Sequence, residues 1–321
     1  MKKRYKILII VLLLSIVSLV VYSLIFYPKL TDFQKDFFAG GELINTTLIF
    51  GAHRGESINY IENTLPAFNS AVENNNYHFI EFDLQYTKDD VIVVHHDLSL
   101  LRIQKKNRKI QDLTYEELSK VSDYHIPTYE EVMEIVAHKK PLNIEIKSQG
   151  NLSEDIELAD FVIKDLNKRN LTNSTLISSI SQELILYINN QYNNRSAYSW
   201  EDFGDYPLYL NKNKYIDTGV IFYAQEDILL FNIRKICSFI PICYKQYDNM
   251  ADSLEKTGAN YLMIHGANIR MFKFIYYDIP YGSKAVFWTF DDKMYLILPD
   301  RYPEWDYESN PPKIVLPWWE E

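Results

Sequence analysis

The sequence predicts an α/β barrel, and three observations support that prediction. Strand-like and helix-like segments alternate along most of the chain, which favours parallel α/β architecture over a sandwich. Residues 43–321, about 280 in number, suit one such barrel and exceed most other single domains. In IEFDLQYT, Ile80, Phe82 and Leu84 alternate with Glu81, Asp83 and Gln85, and in LNIEIKS, Ile144 and Ile146 alternate with Asn143, Glu145 and Lys147. Each strand therefore turns polar groups to one face and hydrophobes to the other.

From the N-terminus, MKKRYK is a basic tip over residues 1–6, and residues 7–27 form an uncharged apolar run. That run is long enough to cross a hydrocarbon core of roughly 30 Å as a helix. Lys2, Lys3, Arg4 and Lys6 precede it, and neither a small-x-small cleavage site nor a lipobox cysteine follows. A retained single-pass signal anchor in the cell membrane is expected, with the remainder extracytoplasmic. Residues 28–46 are a linker containing Gly40-Gly41, and residues 47–321 are the barrel.

Strands are expected at TLIFGAH, FIEFDLQY, LNIEIKS, TLISSIS, SAYSWED, TGVIFYA, KAVFWTF and MYLILPD, with ANYLMIH competing for a place. Helices are expected at ENTLPAFNSAVENN and at PTYEEVMEIVAHK, where Pro127 leads and Thr128 stands near the cap. A third, SEDIELADFVIKDLNKRN, opens on a half-satisfied capping box at Ser153. Residues 98–125 form an insertion carrying Lys105, Lys106, Arg108 and Lys109. The cluster reads either as a solvated loop or as a lid or lipid-headgroup element beside the site mouth.

The formal charge is −10, and 33 basic residues less the four of the tip leave 29 against 43 acidic ones, a balance of −14 for the outer portion. Nucleic acid is disfavoured as a partner, since it requires a basic footprint. Cys237 and Cys243 lie in the apolar stretch CSFIPIC with no zinc pattern, so a disulfide and two buried thiols both remain open.

If Glu81 and Asp83 line the inside of a barrel, they need a cation, because an isolated buried carboxylate is too costly to persist. Each alternation alone also describes a half-exposed strand. Its coincidence with His53-Arg54-Gly55 and His95-His96-Asp97 at strand ends favours a site at the C-terminal mouth of a barrel. Glu81, Asp83 and Glu145 form a hard-oxygen set suited to one Mg²⁺ or Ca²⁺ rather than Zn²⁺. His53 and His96 can serve as general base and acid, with Arg54 and Lys147 neutralising a phosphoryl group.

The stretch AHRGESINYIENTLPAFNSAVENNNYHFIEFDLQYTKDDVIVVHHDLSLLR resembles the opening of the glycerophosphodiester phosphodiesterase family, and DLTYEEL, IPTYEEV and NIEIK continue the likeness in order to about residue 148. The resemblance implies a TIM (β/α)8 barrel with a small insertion after the second strand, and hydrolysis of glycerophosphodiesters to glycerol 3-phosphate and an alcohol. It also implies His53 and His96 as the acid/base pair, Glu81, Asp83 and Glu145 as metal ligands, and Arg54 and Lys147 as phosphate contacts. Glu62 and Asn63 stand where the family has ENT, but Ile61 replaces the preceding proline. Asn63 reads equally as a helix cap. His95 is expected to point away from its neighbour, and His78, His125, His138 and His265 to be surface or packing residues.

The second half departs from that pattern. Trp288 either walls a substrate pocket or fills the core, and only 11 residues separate it from Asp300, so an irregular C-terminal closure is expected. Two further readings stand beside hydrolysis: a barrel that binds a lipid or glycan headgroup without turnover, and a phosphodiesterase forming a cyclic phosphate. The leaving alcohol, the preferred ion and the oligomeric state are not encoded in any motif.

Overall fold

The computed structural model describes residues 48–193, 215–222, 252–254, 256–265, 284–290 and 293–297. The expected anchor, its linker, SAYSWED and both cysteines lie outside the described residues. No helix among the described residues is long and apolar enough to cross a membrane.

The strands are β1 Leu48–Ala52, β2 Phe79–Tyr86, β3 Ile92–Val94, β4 Leu142–Ile146, β5 Thr175–Ser179, β6 Asp217–Phe222, β7 Tyr261–His265, β8 Lys284–Phe290 and β9 Lys293–Ile297. They form one sheet in the order β1-β9-β8-β7-β6-β5-β4-β2-β3, and a β1–β2 pairing returns it on itself as a TIM-barrel-like circuit. Strand β3 stays outside that circuit, antiparallel to β2. The helices are α1 Leu65–Glu73, α2 Leu101–Gln104, α3 Tyr115–Val121, α4 Tyr129–Val136, α5 Leu152–Lys168 and α6 Gln182–Tyr192.

Period-two alternation separates two environments. Ile80, Phe82 and Leu84 of β2 join Leu142, Ile144 and Ile146 of β4 in the large core under the helices, where Phe68 meets Phe82 edge to face. On the opposite face of the sheet, Ile49, Phe79, Leu176, Tyr261, Met263 and Val286 make a separate apolar layer. Above that layer the same faces of β2 and β4 turn polar, with Glu81, Asp83, Gln85 and Asn143 all nearly inaccessible. The expectation of inward-facing acids on a barrel strand therefore holds.

Several expectations change. ANYLMIH, only a competitor in the sequence, contributes β7, and the circuit runs directly from β5 to β6 and on to β7. Strand β9 is antiparallel to both β8 and β1, so the closure departs from an all-parallel barrel, as the irregular C-terminal closure expected from the sequence requires. The physical reason is length: two residues separate β8 from β9, enough for a hairpin and far too few for a parallel crossover. Helix α4 is capped as expected, with reciprocal Thr128 and Glu131 bonds, whereas the cap of α5 lies two residues before Ser153, at Asn151. Residues of the insertion fold on a small cluster of their own, including Leu100, Ile110, Leu113 and Leu118.

Gly55, which follows the β1 mouth, holds φ at +76°, and a Cβ there would lie 2.9 Å from Ala67 of α1. Gly55→Ala should lower stability by about 1–3 kcal/mol through backbone strain and overpacking. Urea unfolding measures this, and an unchanged midpoint would show that the turn is not seated against α1.

Candidate active site

Strand register assembles the acids. Glu81 pairs with Asn143 and Asp83 with Glu145 across parallel β2 and β4, which sets two carboxylates side by side on one face. One oxygen from each of Glu81, Asp83 and Glu145 lies within 4.8 Å of the others. The next inward residue, Gln85, donates to the carbonyls of His95 at 2.7 Å and Asp97 at 2.9 Å, tying the HHD loop to β2.

The β1 loop closes one side. The Arg54 amide donates to Glu81 at 2.8 Å, and His53 Nε2 stands 4.0 Å from the same carboxylate. Arg54 and Asn63 both hold positive φ, 61° and 57°, a strained conformation for residues with side chains. Asn63 Nδ2 donates to Asp83 at 2.7 Å, while Thr64 occupies the cap position of α1. Asn63 thus contacts the acids, and Thr64 rather than Asn63 caps α1.

Both cations marked for phosphate are held by carboxylates. Lys147 Nζ lies 2.8 Å from Asp83 and also contacts Glu145. Arg54 pairs with Glu62 at 2.8 Å and lies 3.5 Å from Asp83. Glu62 in turn receives Arg102 of α2, Arg102 Nε donates to Asp97 at 2.6 Å, and Asp97 meets His96 Nδ1 at 2.7 Å. A continuous series of ion pairs therefore runs from Asp83 through Arg54, Glu62 and Arg102 to Asp97, which hydrogen-bonds His96.

Electrostatics follow from burial and these partners. Burial, reinforced by Asp83 and Glu145, raises the Glu81 carboxyl well above its usual range. Burial would also raise Asp83, but Lys147, His96 and Arg54 outweigh it and hold that carboxyl well below. Burial raises Glu145 despite Lys147. His53 is pushed well below its ordinary value by burial and the Arg54 charge, so its imidazole is neutral near pH 7. Burial alone would raise Asp97, yet its bonds to His96 and Arg102 keep it anionic.

The donor set fits a hard divalent ion. Three clustered carboxylates, two of them driven toward protonation by burial and by their neighbours, lack positive charge, and Asn63 Oδ1 is a buried oxygen with no hydrogen-bond partner beside them. Of the other expected residues, Trp288 is placed by its backbone alone, in β8 opposite His265 of β7. His95 is buried and bonds the Asp97 carbonyl at 2.9 Å. His125 is an exposed partner of Glu131.

The sequence analysis assigns no individual role to Gln85, Asp97 or Arg102, which the structure brings to the mouth. Gln85 continues the 81, 83 alternation and could have been found from it; Arg102 carried no such signal.

The model of the glycerophosphoryl diester phosphodiesterase family matches residues 53–209. A glycerophosphodiester phosphodiesterase of Caldanaerobacter subterraneus is 38% identical over 141 residues, covering 40% of this chain and 57% of that protein. The lysophospholipase D GDPD1 of Homo sapiens is 33% identical over 137 residues, covering 38% of this chain and 42% of that one. The chain thus spans about half the length of the curated relatives it matches. A crystal structure of a glycerophosphodiester phosphodiesterase from Thermotoga maritima superposes with a TM-score of 0.52 at 25% identity, covering 75% of this chain and 85% of that one.

An ion present at one hundred times its dissociation constant stabilises a folded protein by about 2.7 kcal/mol. Ca²⁺ or Mg²⁺ should therefore raise the melting temperature of metal-stripped protein and leave Asp83→Asn unchanged; an equal rise in both would locate the ion elsewhere. The match, and the barrel mouth on which its carboxylates and histidines meet, assign residues 53–209 to the glycerophosphoryl diester phosphodiesterase family.

Proposed function

We propose that the protein is a membrane-anchored, metal-dependent phosphodiesterase that hydrolyses glycerophosphodiesters, or lysophospholipid-type diesters, to glycerol 3-phosphate and an alcohol. The observation that carries this reading is the meeting of Glu81, Asp83 and Glu145 within 4.8 Å beside His53 and the His96–Asp97 pair. Family membership and the names of the relatives support the substrate class. The apolar run at residues 7–27, behind four basic residues, supports an anchor with the barrel outside.

Glu81, Asp83 and Glu145 would hold one Ca²⁺ or Mg²⁺, with Asn63 beside them, and such an ion supplies charge stabilisation to a phosphoryl oxygen. The remaining chemistry belongs to side chains. Neutral His53 accepts the proton of the attacking water as the new O–P bond forms. His96 donates a proton to the leaving alcohol oxygen as its P–O bond breaks, so water is added across the diester. Asp97, accepting from His96 Nδ1, fixes the ring and leaves Nε2 for the substrate. Arg54 and Lys147 offset charge on the phosphoryl group, and both already lie against Asp83.

The full chain in detergent should release glycerol 3-phosphate from glycerophosphocholine or a related diester, and EDTA should abolish the release. Turnover should fall by roughly 10² or more in His53→Ala and in His96→Ala. A rate equal to wild type in either removes that residue from the mechanism. Asp97→Asn should lower kcat by on the order of tenfold or more with KM little changed, as the ring loses its orienting partner. Phosphorus NMR of the product separates hydrolysis from cyclic phosphate formation.

A further inference from the structure

Eight large apolar side chains are exposed among the described residues, and five of them occur in two short segments beside the site: Ile58, Tyr60 and Ile61, and Leu98 and Leu101. Each of these five is between 42% and 50% accessible. The first segment follows His53 and Arg54, the second follows His96 and Asp97, and the Glu62–Arg102 ion pair fastens one to the other.

The second segment is one limb of a small hairpin. Leu100 N donates to Arg108 O and Ile110 N to Leu98 O, each at 3.0 Å, and Ser99 bridges Lys109. The connection and return limb therefore carry Lys105, Arg108 and Lys109, all exposed, beside Leu98 and Leu101. A basic cluster at this spot is conspicuous in a chain of net charge −10. Exposed aliphatic groups, a tyrosine and adjacent lysines are the side-chain types that seat a protein in the headgroup region of a bilayer. The basic limb complements an anionic surface, and the exposed apolar side chains beside it favour lipid as that surface.

We infer that Ile58, Tyr60, Ile61, Leu98 and Leu101, with Lys105, Arg108 and Lys109, form a docking rim for an anionic lipid surface that brings the site mouth onto diesters held in that surface. Its catalytic meaning rests on the phosphodiesterase reading above; the docking itself does not. The rim is separate from the cavity of about 560 Å³ lined by Tyr86, Tyr129 and Phe161, which shares no residue with it.

The test uses the full chain in nanodiscs of phosphatidylcholine with and without phosphatidylglycerol. Hydrogen exchange in residues 57–62 and 98–109 should slow in the anionic discs, and each of Lys105→Glu and Lys109→Glu should weaken that response on the order of fivefold. Ile58→Ser/Ile61→Ser/Leu101→Ser, checked for an unchanged melting temperature, should cut turnover of lysophosphatidylglycerol carried in the disc by about tenfold or more and keep turnover of soluble glycerophosphocholine. No protection in anionic discs, or equal loss on disc-borne and soluble substrate, overturns the inference. Protection that needs no lipid and grows with protein concentration assigns the rim to a second copy and overturns it as well. A wild-type chain that cleaves neither substrate sinks the phosphodiesterase reading, while the exchange measurement still decides the docking.

Discussion

Everything at the mouth of this barrel depends on balancing three carboxylates that strand register forces together. Two unit charges about 4 Å apart interact by about 4 kcal/mol at an effective dielectric constant of 20, while a whole domain is stable by about 5–15 kcal/mol. A cluster of Glu81, Asp83 and Glu145 within 4.8 Å cannot stand on packing alone. Lys147 and Arg54 lean on Asp83, the central member, and hold its proton affinity low, whereas Glu81 is left to rise. The remaining deficit of positive charge is the physical reason to expect a divalent ion. Until such an ion is bound, Arg54 and Lys147 carry the charge balance of Asp83 between them.

The rest of the fold delivers those groups to one place. Apolar side chains on the outer face of β2 and β4 lock the strands against the helices, and the inner apolar layer supports the polar one from below. With both faces committed, a slip of one residue would bury hydrophobes among the acids and turn the acids into the core. The register that sets Asp83 beside Glu145 is therefore enforced by packing remote from the chemistry. The β1 loop is the strained part, with positive φ at Arg54, Gly55 and Asn63, and it bonds directly to Glu81 and Asp83.

Much of this was legible in the residues. Alternation in IEFDLQYT and LNIEIKS foretold both faces, and the HRG and HHD triplets at strand ends marked the mouth. Alternation reports a face and not a partner, which is why Lys147 could be set on the polar face but not paired with Asp83 and Glu145. Pairing of Arg102 with Glu62 spans 40 positions, a contact that only the folded loops create. Strand β9 was read as a strand yet not as antiparallel, although its two-residue separation from β8 carried the information. ANYLMIH is a weak strand signal because Asn260 and Tyr261 blur a short apolar run, and the neighbours on both sides decide it.

The ion pairs that cross the mouth deserve a different valuation from ordinary surface pairs. An isolated exposed pair contributes little, typically 0–1 kcal/mol by rough measure. Here Glu62 is shared by Arg54 and Arg102, and Asp97 by Arg102 and His96. Shared partners couple the members, so losing one charge alters the next along the series. That coupling joins the orientation of His96 to the position of the Ile58–Ile61 loop and to the hairpin bearing Leu98 and Leu101. The same arginine that fastens the two loops also holds the Asp97 carboxylate against His96.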